Sequence, residues 1–225
     1  MALNFANNNS LSAIDTKPSG LSGGALNLIS TQTASSSSTI SFTSGIDSTY
    51  DEYVFKFYDI HPGSHDTDFT FQGSIDSGSN YNLTMTTTVV SPYHYENDGG
   101  AALYYNAPKD QAQGTAFQSI SDQVGNEADQ SVSGSLRLFN PSSTTFVKHY
   151  ICNVQTSCLD SSDDPYSMND LSAGYFNNTN NIVKNTSNNF ELENLLFESI
   201  SKNNLGAVTS VTDQFTVFSL KGSNV

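Results

Sequence analysis

The chain has 225 residues, of which 22 are acidic and 8 are basic, so its formal net charge is −14. A surface this acidic repels phosphate backbones and anionic lipids, which argues against direct binding of nucleic acid. Only 13% of the residues are charged and no apolar run reaches membrane-spanning length, so a highly charged disordered chain and a helical membrane protein are excluded as well.

The first 24 residues form a segment of their own, which we predict to be a leader or docking arm. Runs of Asn and of Ser and Gly give it linker composition. Apolar side chains such as Leu3 and Phe5 are scattered through it, so we expect it to dock on a partner subunit. The start lacks the basic and apolar regions of a secretory signal peptide, which indicates folding in a cytoplasm. Residues 25–225 are then predicted to form one domain.

Alternation of polar and apolar residues, the period of a β-strand, recurs along this domain. It is clearest at residues 53–60, where Phe55 and Phe57 fall on one side of an extended chain and Ile60 on the other. A turn is predicted at 61–64, followed by a strand at 68–73. The remaining predicted strands are, in chain order, 25–30, 39–43, 81–90, 130–139, 145–152, 171–176 and 212–222.

About eight or nine strands separated by turn residues predict an all-β fold. The expected architecture is an antiparallel two-sheet β-sandwich with jelly-roll or Greek-key topology. Long stretches between some strands favour crossovers between the two sheets. The secondary structure of residues 190–200 stays open, because their leucines fit the apolar stripe of a helix while the segment also allows a pair of strands.

A group of aromatic residues stands out in the least regular part, residues 92–124. Tyr-His-Tyr and Leu-Tyr-Tyr flank the turn sequence Asn-Asp-Gly-Gly, which predicts a hairpin. Tyrosine is favoured where one side of a ring is apolar and the other is wet, as in sugar-stacking or subunit-contact surfaces. The alternative is that these rings only cover the edge of the sandwich. The candidate surface-binding residues are Tyr93, His94, Tyr95, Tyr104 and Tyr105.

Two groups of potential metal ligands are present, but neither follows a known ligand spacing. The first is a loop carrying His61, His65, Asp66 and Asp68, whose imidazoles and carboxylates suit a transition metal. The second holds Asp160, Asp163 and Asp164, which suit Ca²⁺. For both we favour a solvated polar loop, so no metal or other cofactor is expected.

No known catalytic motif occurs in the sequence, so we expect a protein that is not an enzyme. Glycoside cleavage by a pair of carboxylates stays an open alternative, since the sequence does not show how far apart two carboxylates lie in space. Cys152 and Cys158 are interpreted as ordinary small side chains, because a secreted disulfide scaffold has more cysteines.

Several segments resemble virion structural proteins of tailed phages that infect marine bacteria and cyanobacteria. They read TISFTSGIDSTYDEY (39–53), FKFYDIHP (55–62), FTFQG (69–73), DSGSNYN (76–82), LFNPSS (138–143) and AGYF (173–176). The closing FSLKG (218–222) is a looser match, and residues 177–213 depart from the pattern with Asn-rich insertions.

The resemblance implies a virion component assembled in the host cytoplasm. The expected role is a tail-fibre or tail-associated subunit that docks through residues 1–24 and presents the sandwich outward. The alternatives are a head decoration or capsid fibre protein, and a carbohydrate-binding receptor-recognition module. The expected partners are other virion proteins, further copies of the chain, with a trimer favoured, and a host surface glycan. Nucleic-acid binding and membrane insertion are not expected.

Overall fold

The fold is described here from a computed structural model. It describes residues 26–160, 163–177, 192, 194–202, 208–210, 213–214 and 216–223. These residues form almost only β-strands, in two antiparallel sheets that pack as a sandwich, which confirms the predicted fold class. The described residues contain sixteen strands, more than the eight or nine expected. The leader predicted at residues 1–24 and most of the Asn-rich stretch lie outside the described residues.

The larger sheet holds eleven of these strands. Its main path runs in the order β1 (Asn27–Ala34), β16 (Thr216–Ser223), β3 (Glu52–Pro62), β10 (Val132–Phe139), β11 (Lys148–Leu159), β12 (Pro165–Asn177), β5 (Thr84–Val90) and β8 (Ala112–Gly114). Three short strands lie beside this path: β6 (Tyr93–Tyr95) pairs with β12 and with β7 (Ala101–Ala102), and β15 (Asp213–Gln214) pairs with β3.

The smaller sheet holds five strands and lies across the core. Its path is β14 (Val208–Ser210), β13 (Asn194–Lys202), β4 (Thr67–Ser74) and β9 (Gln118–Val124), and β2 (Thr39–Phe42) pairs with β13. The chain therefore passes from one sheet to the other between β3 and β4 and again between β4 and β5. Crossovers between the sheets were expected at long connections, but the one from β3 to β4 uses only residues 63–66. One turn of 3₁₀ helix, Ala107–Lys109, precedes β8.

Phenylalanine rings fill the space between the sheets, and Phe197 of β13 lies at their centre. Its ring is 5.5 Å from that of Phe55 and 5.1 Å from that of Phe57, both on β3 of the opposite sheet. It stacks on Phe69 and Phe71 of its own sheet, at 5.9 and 6.2 Å. We call this group the phenylalanine core. It shows that residues 194–202, left open by the sequence, are a strand whose alternate side chains Leu195 and Phe197 are buried.

The prediction for Ile60 is wrong, because β3 contains a bulge. Asp59 has a positive φ of 51°, and the register of β3 against β10 shifts between Val132 and Gly134. The extra residue turns Ile60 to the side of Phe57, into the core. The predicted turn also begins later, since β3 continues through Pro62.

Candidate functional site

A cleft of about 550 Å³ lies between β6, the 3₁₀ turn, β12 and the neighbouring parts of β4 and β9. We call it the tyrosine cleft. Its aromatic lining comes from Tyr93, Tyr95, Tyr104 and Tyr166. Its polar lining comes from Asp66, Asp68, Asn106, Lys109, Asp122 and Gln123.

Strand pairing sets the orientation of the tyrosines. In the register of β6 against β12, Tyr95 lies opposite Tyr166 and Tyr93 lies opposite Met168. Because side chains alternate along a strand, Tyr93 and Tyr95 share one side of β6. The ring of Tyr95 is 5.2 Å from Tyr166 and 5.8 Å from Tyr93. Together with buried Cys158 and Met168, these rings form a second apolar cluster, separate from the phenylalanine core.

The structure brings three of the five candidate binding residues into the cleft and leaves two outside its lining. Tyr93, Tyr95 and Tyr104 line it, and the ring of Tyr104 is 46% exposed. His94 is on the opposite side of β6, where its Nε2 is 3.3 Å from Asp98 on the exposed hairpin. Tyr105 is exposed and its hydroxyl donates a hydrogen bond to Asp110. The predicted hairpin itself is present, with Tyr93 opposite Ala102.

Lys109 forms the polar floor of the cleft together with two carboxylates. Its Nζ is 2.6 Å from Asp68 at the start of β4 and 2.8 Å from Asp122 on β9. All three side chains are mostly buried, with 12 to 18% of their surface exposed. The 3₁₀ turn places Lys109 here, because the turn closes with the Lys109 N–H donating to the Asn106 carbonyl. One ammonium thus faces two carboxylates.

The pKa values of the two carboxylates are shifted in opposite directions. Burial raises the pKa of Asp68 to about 6, although the charge of Lys109 opposes the shift. Burial alone would also raise the pKa of Asp122, but the Lys109 charge and hydrogen bonds from neighbouring groups lower it. Asp68 is therefore the member of the pair that takes up a proton first as the pH falls.

A third buried carboxylate, Asp170 of β12, lies behind this floor. It accepts a hydrogen bond of 2.5 Å from the Ser91 hydroxyl and one of 3.1 Å from the Asp122 backbone N–H. Asn106 links the layers, since its side-chain amide donates to Asp122 at 3.1 Å and to Ser91 at 3.3 Å. Burial raises the pKa of Asp170 to about 6. We call Asp68, Lys109, Asp122, Asn106, Ser91 and Asp170 the polar network.

The cleft continues into a neighbouring cavity of about 420 Å³, with Asp66, Tyr95, Gln123 and Tyr166 shared between them. His65 and Asp160 also line it, so this cavity is reached by two members of the first predicted ligand group, His65 and Asp66, and by one member of the second, Asp160. Among the residues described, however, no three or more His, Cys, Asp or Glu side chains are placed to hold a metal ion. His61 is turned away, with its Nδ1 2.7 Å from the Gln130 carbonyl oxygen.

The two cysteines are free thiols in the interior. Burial raises the pKa of both thiols. Cys152 packs in the same hydrophobic cluster as the phenylalanine core, and Cys158 packs in the second apolar cluster with Tyr166 and Met168.

Sequence reasoning missed Lys109, Asp122 and Tyr166 as members of the site. Tyr166 precedes the predicted strand 171–176, and only the full length of β12 brings it against Tyr95. Lys109 is one of only 8 Lys and Arg residues in a chain of 225. Its position after Pro108 in an acidic chain was the signal that could have pointed to partner carboxylates.

Comparison of the chain with known protein families, curated protein sequences and solved structures found no match. Within the described part of the chain, no helix has the length and apolar character needed to cross a membrane.

Proposed function

We propose that this chain is a non-enzymatic structural protein of a phage virion that binds a host surface saccharide in the tyrosine cleft. The observation that carries the saccharide part is the combination, in one cleft, of tyrosine rings with a hydrogen-bonding floor. The virion part is supported by the sequence segments that resemble phage structural proteins.

The aromatic lining suits a sugar ring. A pyranose has faces of C–H groups, which pack on aromatic rings, and an edge of hydroxyls, which need hydrogen-bond partners. Tyr104 offers an exposed ring at the mouth, and it follows Leu103, whose side chain is 81% exposed. Tyrosine also supplies a hydroxyl at the wet end of each ring.

The polar lining suits the hydroxyls of the same ligand. Asn106, Gln123 and the two carboxylates Asp68 and Asp122 present acceptors and donors within the cleft. Asn106 and Asp122 are already fixed by mutual hydrogen bonding, so little side-chain entropy is lost when a ligand binds. A few fixed polar groups in a mainly aromatic cleft are typical of small-ligand sites.

The arrangement of Asp68 and Asp122 supports a binding rather than a cleaving role. Glycosidases hold their two carboxylates about 5 Å or more apart, with the scissile bond between them. Here the Lys109 ammonium lies between the two carboxylates and contacts both of them. The space that a glycosidic oxygen would need is therefore filled.

A glycan array of host surface saccharides tests the binding role. We expect specific binding, which Tyr104→Ala weakens by about fivefold, the effect of losing one aromatic contact worth roughly 1 kcal/mol. The matched control is Tyr105→Ala, because Tyr105 is the neighbouring exposed tyrosine but does not line the cleft. Absence of binding to every saccharide, or equal effects of the two substitutions, would overturn the saccharide part.

Labelling of purified particles tests the virion part. Antibodies against the chain, coupled to gold, are expected to mark the tail, as a tail-fibre or tail-associated subunit requires. Marking of the head would instead favour the decoration or capsid fibre alternative. Particles that lack the protein altogether would contradict the virion assignment.

A further inference from the structure

We propose that the saccharide held in the tyrosine cleft carries a protonated amine, so that the preferred ligand is an amino sugar with a free amino group. This inference rests on the proposed saccharide-binding function. The inference specifies the charge of the saccharide, which we derive from the charged side chains that line the cleft.

Carboxylates outnumber cations around the ligand space. Asp66, Asp68 and Asp122 line the tyrosine cleft and Asp160 lines the adjoining cavity. Among the residues that the structure describes, Lys109 is the only Lys or Arg that lines either of them. Lys109 is held at 2.6 and 2.8 Å by Asp68 and Asp122, so its charge is already neutralised. An anionic sugar would enter a negatively charged cleft without a cation to meet it.

Asp66 and Asp160 are the carboxylates best placed for a ligand amine. Asp66 lines both cavities, is exposed, and forms no ion pair with a residue that the structure describes. Asp160 Oδ2 lies 3.2 Å from the Tyr95 hydroxyl, which donates to it. An ammonium group beside Tyr95 would therefore have both carboxylates within the adjoining cavity.

The aromatic rings act in the same direction. A cation above the face of a tyrosine ring is attracted by the electrons of the ring. Tyr95 and Tyr166 line both cavities, so an amine bound near Asp160 lies beside aromatic rings. A neutral N-acetyl group gains neither the ring attraction nor the carboxylate contact.

Isothermal titration with linear tetramers tests the inference. The probes are the tetramers of β-1,4-linked glucosamine, of its N-acetylated form and of α-1,4-linked galacturonate, at about pH 5.5, which is below the pKa of a sugar amine. We expect the glucosamine tetramer to bind at least about tenfold more tightly than the N-acetylated form. The galacturonate tetramer is expected not to bind.

Variants separate charge recognition from sugar recognition. Asp66→Asn and Asp160→Asn should each reduce the preference for the amine, whereas Tyr104→Ala should weaken both glucosamine forms by the same factor. In the unsubstituted protein, raising the NaCl concentration should weaken binding of the glucosamine tetramer and leave that of the N-acetylated tetramer unchanged.

Equal affinity for the two glucosamine tetramers would overturn this inference and leave the saccharide-binding proposal standing. Binding of tetralysine as tight as that of the glucosamine tetramer would also overturn it, because the cleft would then recognise an amine on a peptide. If none of the sugars binds and the glycan array is empty, the proposed function fails first.

Discussion

The phenylalanine core and the polar network are both buried, but they are stabilised by opposite means. The core gains free energy from apolar surface removed from water, and its rings need only close packing with one another, mostly edge to face. The network gains little from burial itself, because each polar group must find a partner before it leaves water. The comparison indicates that the phenylalanine core provides most of the stability of the fold, whereas the polar network provides groups for the proposed binding site.

The largest expected effect comes from the core. Replacing Phe197 with Ala removes a ring that contacts both sheets and leaves a cavity, so we expect a loss of about 3 to 5 kcal/mol in the free energy of unfolding. Urea denaturation measures it. The control is Phe146→Ala, since Phe146 is 69% exposed and should change stability little. Equal losses for the two substitutions would contradict the packing described here.

The next largest effect concerns Lys109, and it separates the contribution of its charge to stability from that of its packing in the polar network. Lys109→Met keeps most of the side-chain volume but leaves Asp68 and Asp122 facing each other without a cation. We expect a loss of about 3 kcal/mol near neutral pH, as for a broken buried ion pair. The loss should shrink at about pH 4.5, where Asp68 is protonated and the repulsion is relieved. A pH-independent loss in thermal or urea denaturation would show that Lys109 acts only by packing.

The network should also make the protein less stable at higher pH. The pKa of Asp170 is raised from 3.8 in the unfolded chain to about 6 in the folded state. Folded protein therefore binds more protons between these values, and stability is lost as the pH rises through them. For Asp170 alone we expect about 2 kcal/mol less stability at pH 7.5 than at pH 4.5.

Asp170→Asn tests that assignment, since the amide has the shape of the protonated acid. The variant should show a flatter stability profile between these pH values, measured by urea denaturation. Asp68, whose pKa is likewise raised, should keep part of the slope. A profile identical to that of the unsubstituted protein would rule out Asp170 as its source.

The smallest expected effect concerns the backbone of the large sheet. A Cβ on Gly134 would lie 2.3 Å from the Asn153 carbonyl oxygen and 2.6 Å from the Val154 Cα, so the strands would have to separate. We expect Gly134→Ala to destabilise the protein by about 1 to 2 kcal/mol. Gly100→Ala is the control, because the nearest atom to its Cβ would be 3.6 Å away. Thermal unfolding of the two variants should differ clearly, and equal midpoints would contradict the close approach of β10 and β11.

The strands that supply the phenylalanine core could be predicted from the sequence. Along these strands apolar and polar residues alternate, because every second side chain is buried between the sheets. Phe55 and Phe57 on β3, and Phe69 and Phe71 on β4, are inward as expected. The exception, Ile60, shows the limit of a period of two: a single bulge at Asp59 reverses every later residue of the strand.

Strand β9 could not be predicted, because its sequence QSISDQV reads as a polar loop. Gln118, Ser119 and Ser121 are buried all the same, and for Gln118 and Ser121 the structure supplies partners from distant strands. Gln118 accepts a hydrogen bond of 2.6 Å from Thr87, and the Ser121 hydroxyl lies 2.5 Å from that of Thr156. Such pairing depends on tertiary structure and leaves no local pattern.

Only part of the candidate site could be predicted from the sequence, because its polar half also depends on tertiary structure. The tyrosines of β6 and the following segment were visible as a local cluster of aromatic residues. The polar floor was not, because Asp68, Lys109 and Asp122 are far apart in the sequence and meet only when both sheets are in place.

A crystal structure of the protein with the saccharide that binds best on the array tests the central claim most directly. We predict a sugar ring packed on Tyr104 or Tyr95, with its hydroxyls bonded to Asn106 or Gln123. A sugar bound elsewhere, such as on the outer face of the large sheet around Ile151, with the tyrosine cleft empty, would contradict the account.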